Sequence, residues 1–282
     1  MAEPSQPTAT KDPDHIVVTD LTLGYGDRTV QKNLNFSIRR GDIFIIMGGS
    51  GCGKSTVMRT LIGLVAPKTG SVLVDGRNLW EMEDDARTAF IRRFGALYQS
   101  GALWSSMTLA ENVALALEQF TTLAPAEIRE LVALKLALVG LAGFEDFYPS
   151  EISGGMRKRA GLARAMALDP EVLFFDEPSA GLDPISSHLL DELILELRDS
   201  LGATVVMVTH ELPSIFAIGT NSVFLDAETK TQIATGNPTT LLAECADPKV
   251  RAFLTRGAGD RPGGPPASAL GAVARPSSVA KS

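Results

Sequence analysis

The sequence predicts an α/β fold in which buried parallel strands alternate with amphipathic helices. The segments 56–62 and 184–201 repeat apolar residues at the spacing of an amphipathic helix. The first of these helices directly follows eight residues, 48–55, that fit the pattern of a glycine, any four residues and Gly-Lys-Ser, which is typical of a phosphate-binding loop. Strand patterns rich in apolar residues, as expected for central parallel strands, occur at 42–47, 172–175 and 204–208.

The eight-residue loop combines the features that a bound phosphate requires. Its glycines allow positive φ angles and a close approach of the main chain, and its exposed N–H groups form a concave anion site. The N-terminus of the following helix adds partial positive charge. Lys54 is predicted to reach the β- and γ-phosphates and Ser55 to ligate Mg²⁺. A glycine-rich turn that binds nothing is the alternative, but strand, loop, Lys-Ser and helix all occur in order. The predicted nucleotide-binding residues of this segment are Gly48, Gly49, Ser50, Gly51, Cys52, Gly53, Lys54, Ser55 and Thr56.

Cys52 is an unusual residue to find inside such a loop. A helix N-terminus nearby can lower the pKa of a thiol and so make it reactive. The alternative is that Cys52 is a small filler at a permissive loop position. In either case, a bulky adduct on its sulfur is predicted to obstruct the phosphates.

Composition limits the classes of protein to be considered. The 282 residues suffice for one large domain or two small ones. With a net charge of −7, the protein has no overall positive charge that would attract nucleic acid. Two distant cysteines, Cys52 and Cys245, do not form a disulfide framework, as expected in a reducing compartment. No apolar run approaches the roughly 20 residues that span a bilayer, and no export signal is recognisable, so work at a membrane requires a partner with spanning helices.

The remaining elements follow from local pattern in chain order. Residues 1–14, rich in Pro, Thr, Ser and Asp, are predicted to be a flexible leader. Residues 15–256 are predicted to form the folded domain, without an internal repeat, and 257–282, dominated by Gly, Pro, Ala and Ser, are predicted to be a disordered tail. Strand patterns with turns occur at 16–47, 71–76 and 95–98, and helical patterns at 84–93, 108–141 with a break near Pro125, and 153–168.

Two acidic residues follow the apolar run 172–175. They narrow the possible classes of protein, because the phosphate-binding loop alone would also fit a GTPase or a small-molecule kinase. Asp176 stands where a carboxylate at a strand end holds Mg²⁺ through water. Glu177 lies just beyond, and is predicted to act as the general base or to position the attacking water. The alternative is that both acidic residues merely face solvent. The apolar strand before them and Pro178 after them disfavour this alternative.

A second glycine motif, Ser153-Gly154-Gly155, precedes a basic helix that Ser153 can cap. In its position ahead of Asp176 and Glu177, this motif resembles the signature loop of ATP-binding cassette (ABC) proteins. The resemblance covers about 16–256 and implies a P-loop NTPase (RecA-like) core, an antiparallel β subdomain and an α-helical subdomain at about 99–168. It also implies ATP as substrate with Mg²⁺, and a signature loop that binds the γ-phosphate held by a second subunit. Met156 departs from the Gln of most family members.

The other elements of the family occur in the expected order. Tyr25 resembles the aromatic residue that stacks on adenine, although it also fits a turn. Gln99 resembles the glutamine that touches Mg²⁺ and water and senses the transport partner, although a solvated loop residue would look the same. Residues 179–183, which end in Asp183, resemble the loop that crosses between subunits. His210, after the strand 204–209, resembles the switch histidine that contacts the γ-phosphate.

Two short stretches, 98–104 and 152–159, resemble the ATPases of Mla/Mce-type lipid transporters. That resemblance implies a head-to-tail ATP-sandwich dimer at the cytoplasmic face of the inner membrane. It also implies a permease partner, and further an Mce-domain lipid-binding protein and a small STAS-domain subunit.

An importer of polar nutrients or an efflux pump is the alternative within transport. A soluble DNA-repair or chromosome-organising ATPase would need a coiled-coil or zinc insert, and a translation-associated ATPase would normally carry two cassettes. The cargo and the direction of transport stay open.

Overall fold

A six-stranded sheet forms the centre of the protein. The structure, a computed structural model, describes residues 14–99 and 101–256. The strand order is β10-β9-β3-β8-β7-β6, and all neighbours are parallel except the edge pair of β10 and β9. Every residue of β3 and β8 is buried, which explains their unbroken apolar sequences. The strands are β3 (Ile43–Gly48), β6 (Phe94–Leu97), β7 (Val172–Asp176), β8 (Thr204–Val208), β9 (Asn221–Leu225) and β10 (Gln232–Thr235).

The predicted antiparallel β subdomain is a second sheet, with the order β2-β1-β4-β5. Its long first hairpin alternates buried and exposed residues, as expected for a sheet with one face on the core. Its apolar face joins Phe44, Ile46 and helix α1 (Lys54–Ile62) in one hydrophobic cluster. The strands are β1 (Asp14–Tyr25), β2 (Arg28–Arg39), β4 (Thr69–Val74) and β5 (Arg77–Asn78).

The predicted helical insert is also present. It consists of α3 (Leu109–Phe120), α4 (Pro125–Leu138) and α5 (Gly154–Ala165). Pro125 begins α4 at its first turn, where proline is tolerated, so the predicted break is the boundary between two helices. Helices that flank the central sheet are α2 (Asp84–Ile91), α6 (Pro184–Leu201), α7 (Leu212–Ile218), α8 (Pro238–Glu244) and α9 (Pro248–Thr255).

The domain boundaries need one correction. Asp14, predicted as the last residue of the leader, is already the first residue of β1 and lies opposite Arg39 of β2. The rest of the predicted leader, 1–13, and the predicted tail, 257–282, lie outside the described residues. In the part of the chain that the structure describes, no helix combines the length and the apolar character that crossing a membrane requires.

A buried ionic cluster joins the antiparallel sheet to the amino-terminal end of the central strands. His15 is 2% exposed, and its Nδ1 lies 2.7 Å from the hydroxyl of Thr204. The Asp75 carboxylate pairs with the guanidinium groups of Arg40 and Arg93. Burial lowers the pKa of His15 to about 4, and the charge of Arg40 acts in the same direction. The cluster therefore contains a neutral histidine at pH 7.

This histidine is expected to make the protein sensitive to mild acid. Its pKa of about 4 in the folded protein lies below the ordinary 6.5, so the unfolded chain binds more protons between these values. The free energy of unfolding should therefore fall as the pH falls from 6.5 to 4, by up to about 3 kcal/mol from this group. His15→Gln keeps an acceptor for Thr204 and cannot be protonated, so urea denaturation at pH 7 and pH 4.5 should show a smaller loss for the variant. An equal loss in both proteins would contradict the assignment.

Candidate functional site

Two glycines shape the phosphate loop. At either position, the Cβ of any other residue would collide with neighbouring atoms. Gly48 ends β3 at φ 143°, and a Cβ there would lie 2.3 Å from the carbonyl oxygen of Leu225. Gly53 has the left-handed φ of 103° at the start of α1, and a Cβ there would lie 2.5 Å from Cγ1 of Val30. Strained, closely packed positions of this kind require glycine. They turn the chain sharply from strand to helix and aim the helix N-terminus at the loop's concave side.

The loop opens onto a cleft of about 340 Å³. Gly51 lines this cleft, and a Cβ at Gly51 would meet no atom within 4 Å, so there is open space beside the loop for phosphate oxygens. Tyr25 is 50% exposed at the rim, where its ring is free to pack against a flat, apolar ligand group. The lining residues are Tyr25, Arg28, Val30, Gly51, Gly53, Lys54, Ser55 and Thr56.

Lys54 is directed at the loop itself. Its ammonium donates to the carbonyl oxygens of Gly48 at 2.9 Å and of Gly49 at 3.1 Å. The cation therefore lies against the main chain of the loop. That Lys54 binds phosphate stays a prediction.

Gln31 supports the loop from outside, and the sequence analysis missed it. Its side chain is fully buried on β2, and its amide donates to the carbonyls of Cys52 at 2.6 Å and Asp226 at 3.0 Å. A buried glutamine in an otherwise apolar strand face was the available signal, because a buried amide needs polar partners. Which partners it has depends on the approach of β2 to the loop.

The thiol of Cys52 is turned away from solvent. Its side chain is 2% exposed, and burial raises the pKa of its thiol above the ordinary value. The expectation of a lowered pKa is therefore wrong, because desolvation outweighs the charge of Lys54 and the nearby helix N-terminus. Any contribution of Cys52 to phosphate binding comes from its main chain.

A hydroxyl and a carboxylate meet beside Lys54. The side chain of Ser55, at the start of α1, lies near the carboxylate of Asp176 at the carboxyl end of β7. Burial raises the pKa of Asp176, and the charge of Glu177 adds to the effect. A buried carboxylate next to a second acid is stabilised by a cation, and these oxygen donors suit Mg²⁺. Ser55 and Asp176 thus fit the predicted metal site.

Glu177 and His210 face each other across neighbouring strands. β7 and β8 are paired so that Asp176 lies opposite Val208. The N–H of Glu177 donates to the Val208 carbonyl at 2.8 Å, and Nδ1 of His210 lies 2.9 Å from the Glu177 carboxylate. Glu177 holds the left-handed φ of 51°, an uncommon conformation for a residue with a side chain. The imidazole can orient this carboxylate by donating a hydrogen bond from Nδ1.

The other predicted residues lie outside this cleft. Ser153 caps α5, and its hydroxyl accepts from the N–H of Met156 at 3.2 Å. Ser153 and Gly155 line a different depression, together with Ser186 of α6. Gln99 lies two residues beyond the end of β6, and its side chain is exposed. The structure thus brings the phosphate loop, Asp176, Glu177 and His210 to one edge of the sheet, while Ser153 and Gly155 lie elsewhere on the same chain.

Asp183 has a local role that the sequence analysis missed. Its carboxylate accepts from the N–H groups of Ile185 and Ser186, each at 3.0 Å, and so caps α6. The hydrogen bonds from Ser186 hold the pKa of Asp183 below its ordinary value. The signal was present in the Asp-Pro pair at the start of the helix.

Comparison with known proteins places these features in a family. Residues 31–180 match the family described as ABC transporter. The chain is 40% identical over 235 residues to the intermembrane phospholipid transport system ATP-binding protein MlaF of Escherichia coli K12, which covers 83% of this chain and 86% of that protein. It is 39% identical over 247 residues to MlaF of Haemophilus influenzae, covering 88% and 92%.

Relatives with another name are also similar. The probable ribonucleotide transport ATP-binding protein mkl of Mycobacterium tuberculosis H37Rv is 39% identical over 239 residues, which cover 85% of this chain. The chain spans 66% of the length of that mycobacterial relative, just under two thirds.

Solved structures of similar shape are ATP-binding cassettes. The structure of cbiO1 from Clostridium perfringens, part of an ABC transporter complex, has a TM-score of 0.76 at 28% identity and covers 83% of this chain and 92% of its own. The dimeric cassette MJ0796, bound to ADP and Pi in a post-hydrolysis state, has a TM-score of 0.71 at 28% identity, covering 79% and 98%.

Proposed function

The chain belongs to the ABC transporter family, and on that premise we propose that it is the ATP-hydrolysing subunit of a membrane transporter. One observation carries the proposal above all. Three groups converge at the carboxyl ends of the parallel strands of the central sheet, where ligands of such sheets bind. They are the phosphate loop, Ser55 with Asp176, and Glu177 with His210. These groups can bind a polyphosphate, hold a divalent cation and activate water.

The residues divide the chemistry among them. Lys54 and the loop N–H groups bind the β- and γ-phosphates, and Tyr25 packs against the base. Ser55 and Asp176, with Gln99, would hold Mg²⁺, which would supply positive charge to the phosphate oxygens. Glu177 accepts a proton from the attacking water or orients it. His210 keeps the Glu177 carboxylate in place from 2.9 Å and contacts the γ-phosphate.

A second copy of the chain completes each site in this proposal. Ser153, Gly154 and Gly155 stand at the N-terminus of α5, where main-chain N–H groups have no partner within the helix. Ser153 and Gly155 line a depression that shares no residue with the phosphate cleft. In a head-to-tail dimer they would reach the γ-phosphate held by the partner, with Asp183 in the loop between subunits. Dimeric cassettes among the similar structures support this arrangement.

A groove beside Gln99 is the proposed contact with the permease. It encloses about 440 Å³ between α2, β6, α3 and α5. Two aromatic residues on it are exposed, Trp104 by 58% and Phe120 by 44%. Exposed aromatic side chains around a groove are typical of a protein interface. A permease helix seated there would lie next to Gln99, through which binding at the membrane would influence the site.

The proposed cargo is a phospholipid or another lipid, because the MlaF relatives are named for intermembrane phospholipid transport. The chain would act at the cytoplasmic face of the inner membrane. An Mce-domain lipid-binding protein and a small STAS-domain subunit would complete the complex. The name of the mycobacterial relatives makes ribonucleotides the alternative cargo.

The proposal is tested on the complex that co-purifies with the chain from detergent-solubilised membranes. Reconstituted into vesicles, the complex is expected to move labelled phospholipid to acceptor vesicles only when Mg-ATP is present. Lys54→Ala should stop this movement, whereas Lys32→Ala, the same change at an exposed lysine of β2, should not. If ATP drives movement of a ribonucleotide and not of lipid, the cargo is a ribonucleotide and the lipid assignment is wrong. Failure to co-purify with any membrane protein would contradict the transporter function.

A further inference from the structure

Lys158 of α5 is a buried cation for which the proposed mechanism has no use. It is only 6% exposed, although lysine is among the residues least often buried. Burial lowers the pKa of its ammonium, against the opposing influence of the carboxylates of Glu177 and Asp176. A buried ammonium costs several kcal/mol unless its donors are satisfied. Its hydrogen-bond partners should therefore explain its presence.

Among the described residues, the partners of this ammonium are two main-chain carbonyl oxygens at the site. Lys158 Nζ donates to the carbonyl of Gln99, two residues beyond the end of β6, and to the carbonyl of Glu177 at 3.3 Å, directly after β7. Gln99 and Glu177 lie at the carboxyl ends of neighbouring strands. One side chain from the helical insert thus ties together two loops of the central sheet.

Glu177 needs such a restraint on its main chain. Its left-handed φ of 51° costs about 1 kcal/mol or more for a residue other than glycine, so neighbouring contacts must hold it. Its N–H is held by the Val208 carbonyl at 2.8 Å, and its own carbonyl accepts from the N–H of Ala180 at 3.2 Å within the turn and from Lys158 at 3.3 Å across the domain. Together these bonds fix the peptide groups on both sides of the residue, and thereby the direction in which its carboxylate leaves the chain.

We propose that Lys158 is a positioning residue, which holds the main chain of Glu177 and of Gln99 so that the Glu177 carboxylate points to His210 and to the attacking water. This inference rests on the proposed ATP hydrolysis and deepens it. Lys158 lies on the helix whose first turn carries Gly154 and Gly155. A shift of that helix can therefore be transmitted to Glu177 through the Lys158 ammonium.

Two variants of the full-length chain test the proposal by steady-state ATP hydrolysis. Lys158→Met keeps the length of the side chain without its donors, and is expected to lower kcat by roughly tenfold to a hundredfold, as a misplaced catalytic group does. KM and the affinity for ATP should change by less than about twofold, because the phosphate loop is untouched. Lys158→Arg restores donors and should recover most of the lost turnover.

Lys135→Met is the matched control. Lys135 is likewise buried in the helical insert, at 3% exposure, but its ammonium pairs with Asp169. Both Met variants should lower the melting temperature, and only Lys158→Met should lower kcat. The proposal is overturned by an unchanged kcat in Lys158→Met, by an equal loss in Lys135→Met, by a matching loss of ATP affinity, or by Lys158→Arg being no better than Met. Absence of hydrolysis in the unaltered protein would instead contradict the proposed function.

Discussion

Replacing Glu177 with Gln is expected to lower the rate of ATP hydrolysis by about 10²–10⁴-fold, the usual effect of removing a general base. The amide has the shape of the carboxylate but cannot take a proton from water. It can still accept a hydrogen bond from His210, whose Nδ1 lies 2.9 Å from the carboxylate in the unaltered protein. ATP binding should remain, since the phosphate loop and Asp176 are unchanged, and the closed dimer should accumulate with ATP.

Steady-state turnover, ATP affinity and size-exclusion chromatography with Mg-ATP measure these three effects. The same substitution at Glu192, 60% exposed on α6, controls for the loss of one negative charge and should leave turnover intact. Near-normal turnover in Glu177→Gln would remove Glu177 from the role of base. The pairing with His210 would then have only a structural meaning.

Ser153→Arg is expected to abolish hydrolysis while each chain still binds ATP. The long side chain would occupy the space at the start of α5 where the partner's γ-phosphate is proposed to lie. The substitution also removes a helix cap, which costs about 0.5–2 kcal/mol in stability. Thr108→Arg removes the corresponding cap from α3, where Thr108 accepts from the N–H of Glu111, and so controls for the lost stability alone. That variant should still hydrolyse ATP.

Mixing two inactive chains tests completion by the partner directly. In a dimer of Ser153→Arg with Lys54→Ala, one site combines an intact phosphate loop with an intact Ser153 motif, and the other site has neither. Hydrolysis should therefore appear in the mixture although each variant alone is inactive. Full activity of Ser153→Arg by itself, or no activity in the mixture, would show that the two halves of a site do not come from different chains.

Much of the site was predictable because its signals are local. The turn from β3 into α1 needs glycine at positions with positive φ, and Gly48, Gly51 and Gly53 occupy such positions. The predicted central strands are the buried ones, and Asp176 ends β7 as expected. The caps on α5 and α6 also follow from the residue types at the helix starts.

For Cys52 the structure opposes one of the two interpretations of the sequence, the lowered thiol pKa, for a physical reason. Sequence position shows that a thiol stands close to a helix N-terminus, but it does not show the direction of the side chain. The thiol turns inward, where loss of water raises its pKa more than nearby positive charge lowers it. Burial of a loop residue depends on the elements packed over the loop.

The sequence by itself determined the central strands, the phosphate loop, the two acidic residues at the end of β7 and the family, because each depends on a short run of residues with its own period or turn chemistry. Only the tertiary structure decided which distant groups meet. The pairing of β7 with β8 brings His210 to Glu177, and the packing of α5 brings the buried Lys158 to the carbonyls of Gln99 and Glu177. Such contacts follow from the strand order and the helix packing. Both are selected by packing energies that are summed over the whole hydrophobic core.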